Sequence, residues 1–176
     1  SQGQIGKENA FLLGSLFVAK FQETAMSRQV QAVASRRPFW LYIDEFQNFI
    51  TPSMAEILSG ARKYRLGLIL AHQELRQLQR EPEVASAVLS NVYTRVCFRL
   101  GDDDARKLAD GFSFFEARDL QNLDRGQAIC RLERSDGDFN LNVPFPQDPD
   151  PDDAALTRRQ VMAASRAAYG TPRTEV

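Results

Sequence analysis

The residues best suited to chemistry are two adjacent carboxylates, Asp44 and Glu45, placed directly after the apolar run Phe39-Trp40-Leu41-Tyr42-Ile43. Paired acids of this kind can hold a divalent cation through water and act as a base on a second water. The run itself, entered through Arg36-Arg37-Pro38, does not alternate between apolar and polar residues. That pattern predicts a strand buried on both faces of a parallel sheet. Ligands of such sheets bind beyond the carboxyl ends of the strands, which is where Asp44 and Glu45 fall. An ordinary strand ending in a solvated acidic turn would read the same way, so on this stretch alone both readings stand.

The surrounding elements must position the pair. From Glu8 a helical pattern runs toward Arg36, with Leu12, Leu16, Ala19, Met26, Val30 and Val33 on one stripe. Phe11, Leu13, Phe17, Val18 and Phe21 widen that stripe, so the first half of the helix is expected to be buried on most sides. Arg28, Arg36 and Arg37 fit a solvated helix end or a contact with DNA or another subunit. After Glu45, Thr51 with Pro52, or Ser53 with Glu56, offers a helix start. Met54, Ile57, Leu58 and Ala61 form the buried stripe of that helix, and Arg62-Lys63-Tyr64-Arg65 ends it. Leu66 to Ala71 is a second continuous apolar run that stops at His72-Gln73. Strand, helix and strand in this order predict a right-handed βαβ unit with adjacent parallel strands. Asp44 and Gln73 would then lie side by side.

Downstream, Leu75 and Leu78 begin a short helix that Pro82 interrupts, and Val84 to Leu89 continue a second one. Val92 to Leu100 alternates like a less completely covered strand. Asp102, Asp103 and Asp104 crowd the start of a helix running to Ala109, where acids complement the dipole; metal binding is the other reading. Ser113 with Glu116 suggests a capping box, Gln127 to Glu133 a last core strand, and Phe139 to Val143 a strand pairing back. Residues 1–145 read as one domain, followed at 146–176 by a Pro/Asp-rich linker and a short basic helix, Ala154 to Tyr169.

The bulk numbers narrow the classes. The chain has 176 residues, is 43% hydrophobic and 26% charged, and carries a net charge of −1, which suits a globular domain with no global pull toward nucleic acid or membrane. Cys97 and Cys130 lie in strand-like runs, as buried thiols of a cytosolic protein do. The single His72 cannot build a metal site alone. No apolar run approaches the roughly 20 residues that span a bilayer, and no signal peptide opens the sequence, so the cytoplasm is the expected address.

With these segments placed, their order resembles the second half of a HerA/FtsK-type motor ATPase, most of all the coupling-protein ATPases of type IV secretion and conjugation. The resemblance is carried by Pro38 to Phe49, by Ala61-Arg62-Lys63-Tyr64 and by Leu70-Ala71-His72-Gln73. Asn91-Val92-Tyr93-Thr94, Phe98-Arg99-Leu100-Gly101 and Asp104-Ala105 continue it. It covers about Ile5 to Arg134, with a weak echo over Ser165 to Val176. The resemblance implies a RecA-like α/β fold, a mostly parallel sheet with helices on both faces. It also implies ATP and Mg2+ as cofactors, DNA as substrate, and a homo-oligomeric, hexameric ring at the cytoplasmic face of the inner membrane beside other secretion components. Residue by residue, Asp44 matches the Walker B aspartate that orders magnesium, and Glu45 the glutamate that polarises the attacking water. Gln73 matches the polar sensor on the neighbouring strand. Arg62 matches the arginine presented to the nucleotide of the adjacent subunit.

The departure is the absence of G-x-x-x-x-G-K-[ST]; Gly3-Gln4-Ile5-Gly6-Lys7 has the wrong spacing. The chain therefore reads as a C-terminal motor half, an ATPase only when a P-loop half completes it. The alternatives are a non-catalytic module docking onto intact motor subunits, a HerA/FtsK-like DNA-processing ATPase outside secretion, and an unrelated metal-dependent hydrolase using Asp44 and Glu45 directly.

Overall fold

The computed structural model describes residues 6–51, 53–134 and 136–171. Readings that rest on Pro52, on the side chain of Ser53, on Ser135 or on residues 1–5 and 172–176 lie outside them. The described chain falls into two compact units that divide between Leu141 and Asn142.

The first unit opens with helix α1 (Lys7–Met26) and two short 3-10 turns. Strand β1 (Phe39–Ile43), helix α2 (Ser53–Gly60) with a 3-10 turn at Ala61–Tyr64, and strand β2 (Leu66–Leu70) follow as the expected βαβ unit. The strands are parallel and in register from Phe39 opposite Leu66 to Ile43 opposite Leu70. Helix α3 (Pro82–Asn91) starts on its proline, where the missing N–H costs nothing. Strand β3 (Thr94–Cys97), helices α4 (Asp102–Ala109) and α5 (Ala117–Gln121), and strands β4 (Gln127–Leu132) and β5 (Asp138–Asn142) complete the unit. β3 and β4 pair antiparallel, and β5 lies beside β4. The architecture is α/β with a parallel strand pair, as expected; the second sheet adds an antiparallel pairing that the apolar runs do not encode.

Phe46, Met54, Leu78, Val84, Leu120 and Ile129 are fully buried, and Met54 and Ile57 of α2 and Ala61 of the 3-10 turn after it are buried as their spacing requires. Cys97 and Cys130 are buried free thiols.

Two expectations fail. β1 is not buried on both faces: Ile43 is buried, but Trp40 and Tyr42 are 63% and 73% exposed. No element among the described residues covers that face, and Trp40 leans its ring over Gly67 on β2, where a Cβ would collide with it. The first half of α1 is likewise open. Leu12, Leu13, Leu16 and Phe17 are exposed, and only Val18 and Ala25 of this helix are buried. Its inward contacts include Phe21 stacked on Phe39 at 5.6 Å and Phe49 seated over Gly14, which has no side chain to block it.

The capping box also lies three residues downstream of the expected Ser113–Glu116 pair. Glu116 caps α5 and exchanges hydrogen bonds with Asp119, while the Ser113 N–H donates to Asp138 at 2.5 Å. The second unit contains helix α6 (Pro151–Tyr169), exposed along its length. Asp150 caps it by accepting from the N–H groups of Asp152 and Asp153, so the helix begins inside the Pro/Asp-rich stretch.

Candidate functional site

The carboxyl ends of β1 and β2 bring Asp44, Glu45 and Gln73 together. Beyond Ile43 the ladder continues, with the Ala71 N–H donating to Ile43 and the Phe46 N–H donating to Ala71, both at 3.0 Å. Between those bonds the chain reverses. Asp44 accepts the Glu45 N–H on Oδ1 at 2.9 Å, and Glu45 takes a left-handed conformation with φ 50°. A non-glycine residue held there costs about 1–3 kcal/mol, so the surrounding bonds must impose it.

The reversal aims the Glu45 carboxylate across the strand ends. Gln73 donates to Oε1 at 2.7 Å and Gln47 donates to Oε2 at 2.6 Å. Gln47 lies in the 3-10 turn Phe46–Phe49 and is only 7% exposed. Its backbone carbonyl accepts the Arg80 guanidinium, whose other face lies 5.6 Å from the Phe11 ring centre. His72 packs edge-on against Phe46 at 5.4 Å. Burial lowers the pKa of its imidazole below the ordinary value, against the Glu74 backbone and the Asp104 charge, so the ring is neutral at neutral pH. Asp104 itself accepts the Leu75 N–H at 2.9 Å, Asp103 pairs with Arg106, and Asp102 accepts from Gln121. The three acids are thus dispersed, and among the described residues no group of three or more His, Cys, Asp or Glu side chains could hold a metal.

Arg62 lies apart from this cluster. It belongs to the 3-10 turn that enters β2, at the amino end of the strand pair. Five paired residues at about 3.3 Å each separate that end from the carboxylates by roughly 15 Å. Its guanidinium is exposed and makes no ion pair among the described residues. The other arginines nearby behave differently. Arg36 is 8% exposed and donates to the carbonyls of Gln31, Lys63 and Gln29, at 2.5 Å to Lys63. Arg28 donates to the carbonyls of Arg37 and Tyr64. Both expectations for these two arginines therefore fail: they are neither a solvated helix end nor free for a partner, but cross-link the chain before β1 to the turn carrying Arg62.

Sequence reasoning assigned no role to Gln47 or Arg80. The available signal was an amide between Phe46 and Phe49, too polar for a turn packed into the core unless a neighbouring charge holds it.

Residues 38–113 match the family described as the TraM recognition site of TraD and TraG. No curated protein sequence matches the chain significantly. Among solved structures, the bacterial conjugative coupling protein TrwB, in an unbound form, is 17% identical with a TM-score of 0.59, covering 75% of this chain and 38% of that one. TrwB bound to a non-hydrolysable ATP analogue gives 17% identity and 0.60 over 77% and 38%. VirB4 of Thermoanaerobacter pseudethanolicus gives 18% and 0.56 over 84% and 40%. At these identities the likeness shows the fold, and this chain spans well under half the length of each neighbour. No helix among the described residues is long and apolar enough to cross a membrane. By the matched segment and the shared fold, the chain is similar to the C-terminal portion of a conjugative coupling-protein-like P-loop motor ATPase.

Proposed function

We propose that this chain supplies the Walker B acids, the sensor glutamine and the trans-acting arginine of an ATP-driven motor that moves DNA in conjugation or type IV secretion, acting at the cytoplasmic face of the membrane. A P-loop half, in the same polypeptide or in a partner, supplies the phosphate cradle. The observation that carries the reading is the Glu45 carboxylate held by Gln73 across two parallel strand ends.

Each residue fits its role. Asp44 is exposed and commits Oδ1 to the Glu45 N–H, which leaves Oδ2 for a water on a divalent cation. Magnesium bound with nucleotide would neutralise phosphate charge as the bond to the γ-phosphate breaks. Glu45 is aimed past the strand ends, where it can accept a proton from an attacking water. Gln73 is exposed on its far side and can exchange Glu45 for another acceptor, which makes it responsive to what binds there. Arg62 is too far from its own Glu45 to share a site with it, and its free fork suits the phosphate of a neighbouring subunit in a homo-oligomeric, hexameric ring.

The test is ATP hydrolysis. The purified 176-residue chain is expected to show none, and a protein joining a P-loop half to it is expected to show magnesium-dependent turnover that Glu45→Gln removes. Turnover by the isolated chain, abolished by Glu45→Gln, would instead favour the direct metal-dependent hydrolase. The exposed apolar residues of α1 and β1 favour one second reading, a non-catalytic module docking on intact subunits. In that case the chain would bind such subunits and Glu45→Gln would change nothing.

A further inference from the structure

The amides on Glu45 are not equivalent. Gln73 is exposed at the end of β2, free to turn toward anything that enters the site. Gln47 is buried in the turn that follows Glu45, between Phe46 and Ile50, which are 0% and 4% exposed. Its backbone is held by Arg80, so it cannot follow a ligand. Moreover its Oε1 is buried and has no hydrogen-bond partner among the described residues. A buried amide that leaves its carbonyl unpaired is a poor choice for packing, because an apolar side chain of the same shape carries no such penalty. The bond that Gln47 Nε2 makes is the one to Glu45.

We infer that Gln47 is a positioning residue for Glu45, the fixed half of a clamp whose releasable half is Gln73. The inference rests on the motor reading of Glu45. When Gln73 turns away, Oε1 loses its donor and becomes free to polarise a water, while Gln47 keeps Oε2 anchored and the carboxylate pointed past the strand ends. A carboxylate with both donors removed would swing, and a pre-set orientation of the base is worth a large factor in rate.

Gln47→Met separates this role from a structural one, because methionine fills nearly the same volume and removes the unpaired amide oxygen, so that the lost donor to Glu45 Oε2 is the main polar change. In the 176-residue chain its melting temperature is expected to equal or exceed the parental value. In the protein joined to a P-loop half, kcat is expected to fall about 10²-fold with KM for ATP within about twofold. Side-chain amide NMR of the 176-residue chain supplies an independent arm. The Gln47 amide protons are expected to exchange with water at least about tenfold more slowly than those of Gln73, and to shift in Glu45→Ala but not in Gln73→Ala. Parental kcat in Gln47→Met, beside an active parent, overturns the positioning role and leaves the motor reading intact. A Gln47 amide that does not shift in Glu45→Ala overturns the clamp itself. An inactive parent overturns both readings.

Discussion

At the carboxyl end of β1 and β2, acidic side chains are engaged by neutral amide donors; at the amino end, Arg28 and Arg36 are engaged by neutral carbonyls, while Arg62 is among the exposed cations that make no ion pair with the described residues. Glu45 has donors on both oxygens, from Gln47 and Gln73. Arg36 and Arg28 donate to the carbonyls of five residues between them. Arg62, in the same 3-10 turn as the Lys63 and Tyr64 carbonyls, has no ion-pair partner among the described residues. The difference separates charges that hold the fold from charges free to act. Under the proposed function Glu45 is a base that must be aimed, and one of its two partners, Gln47, is local and buried. Under the proposed function, Arg62 reaches another subunit and stays unpaired until that subunit arrives.

The sharpest break of this comparison is Arg62→Lys. In the protein joined to a P-loop half it is expected to lower turnover about 10³–10⁵-fold, because an ammonium cannot present the planar fork. Its melting temperature should stay at the parental value, since Arg62 is solvent-exposed. Parental turnover would return Arg62 to a mere helix-end cation worth about 0.3–1 kcal/mol.

Arg36→Ala should behave in the opposite sense. It leaves several carbonyls without donors and is expected to cost about 3 kcal/mol of stability in denaturant unfolding of the 176-residue chain. A loss below about 1 kcal/mol would mean that water replaces the guanidinium and that the amino end is not held by it.

A control lies away from both ends. Burial pushes the Cys97 thiol up from 9.0 to about 11. The folded chain therefore binds this proton more tightly than the unfolded chain does. The stability this gives is fully present below about pH 9 and is lost as the pH rises toward 11. Roughly 2 kcal/mol of the alkaline decline measured by denaturant unfolding should disappear in Cys97→Ala, alongside a smaller constant loss from packing. An identical alkaline slope in the variant would show that the thiol is less desolvated than its packing implies.

The smallest effect concerns β1. Gly67→Ala puts a methyl group into the ring of Trp40, the single tryptophan, and is expected to cost about 1 kcal/mol while displacing the indole. Fluorescence emission should move to longer wavelength. An unchanged spectrum would mean that Trp40 does not rest on β2.

What the sequence made legible follows from local pattern. The two apolar runs, the helix between them and the polar residues at their ends give β1, α2, β2 and the placing of Asp44, Glu45 and Gln73 at one end of the strand pair, because unbroken apolar runs and their spacing report directly on a βαβ unit; the bond formed there runs from Gln73 to Glu45. Coverage was not legible. The residues from Phe39 to Ile43 have the composition of a doubly covered strand, yet which faces are covered depends on long-range packing that no short window encodes. For the same reason Leu12, Leu16 and Phe17 read as core and stand exposed. Arg36 was misread because its partners are backbone carbonyls, which every residue possesses and no side-chain pattern marks. Gln47 escaped because its role depends on the left-handed turn at Glu45, a backbone feature unusual for glutamate.

The central claim is that Glu45 and Arg62, at opposite ends of one strand pair, complete a site only between two subunits. In the protein joined to a P-loop half, Glu45→Gln and Arg62→Lys subunits should each be nearly inactive alone. Mixed, they should recover measurable ATP hydrolysis, because one kind of junction in the mixed ring then joins an intact Glu45 to an intact Arg62. Mixtures no more active than the weighted average of the two variants, although mixed assemblies form, would contradict the account.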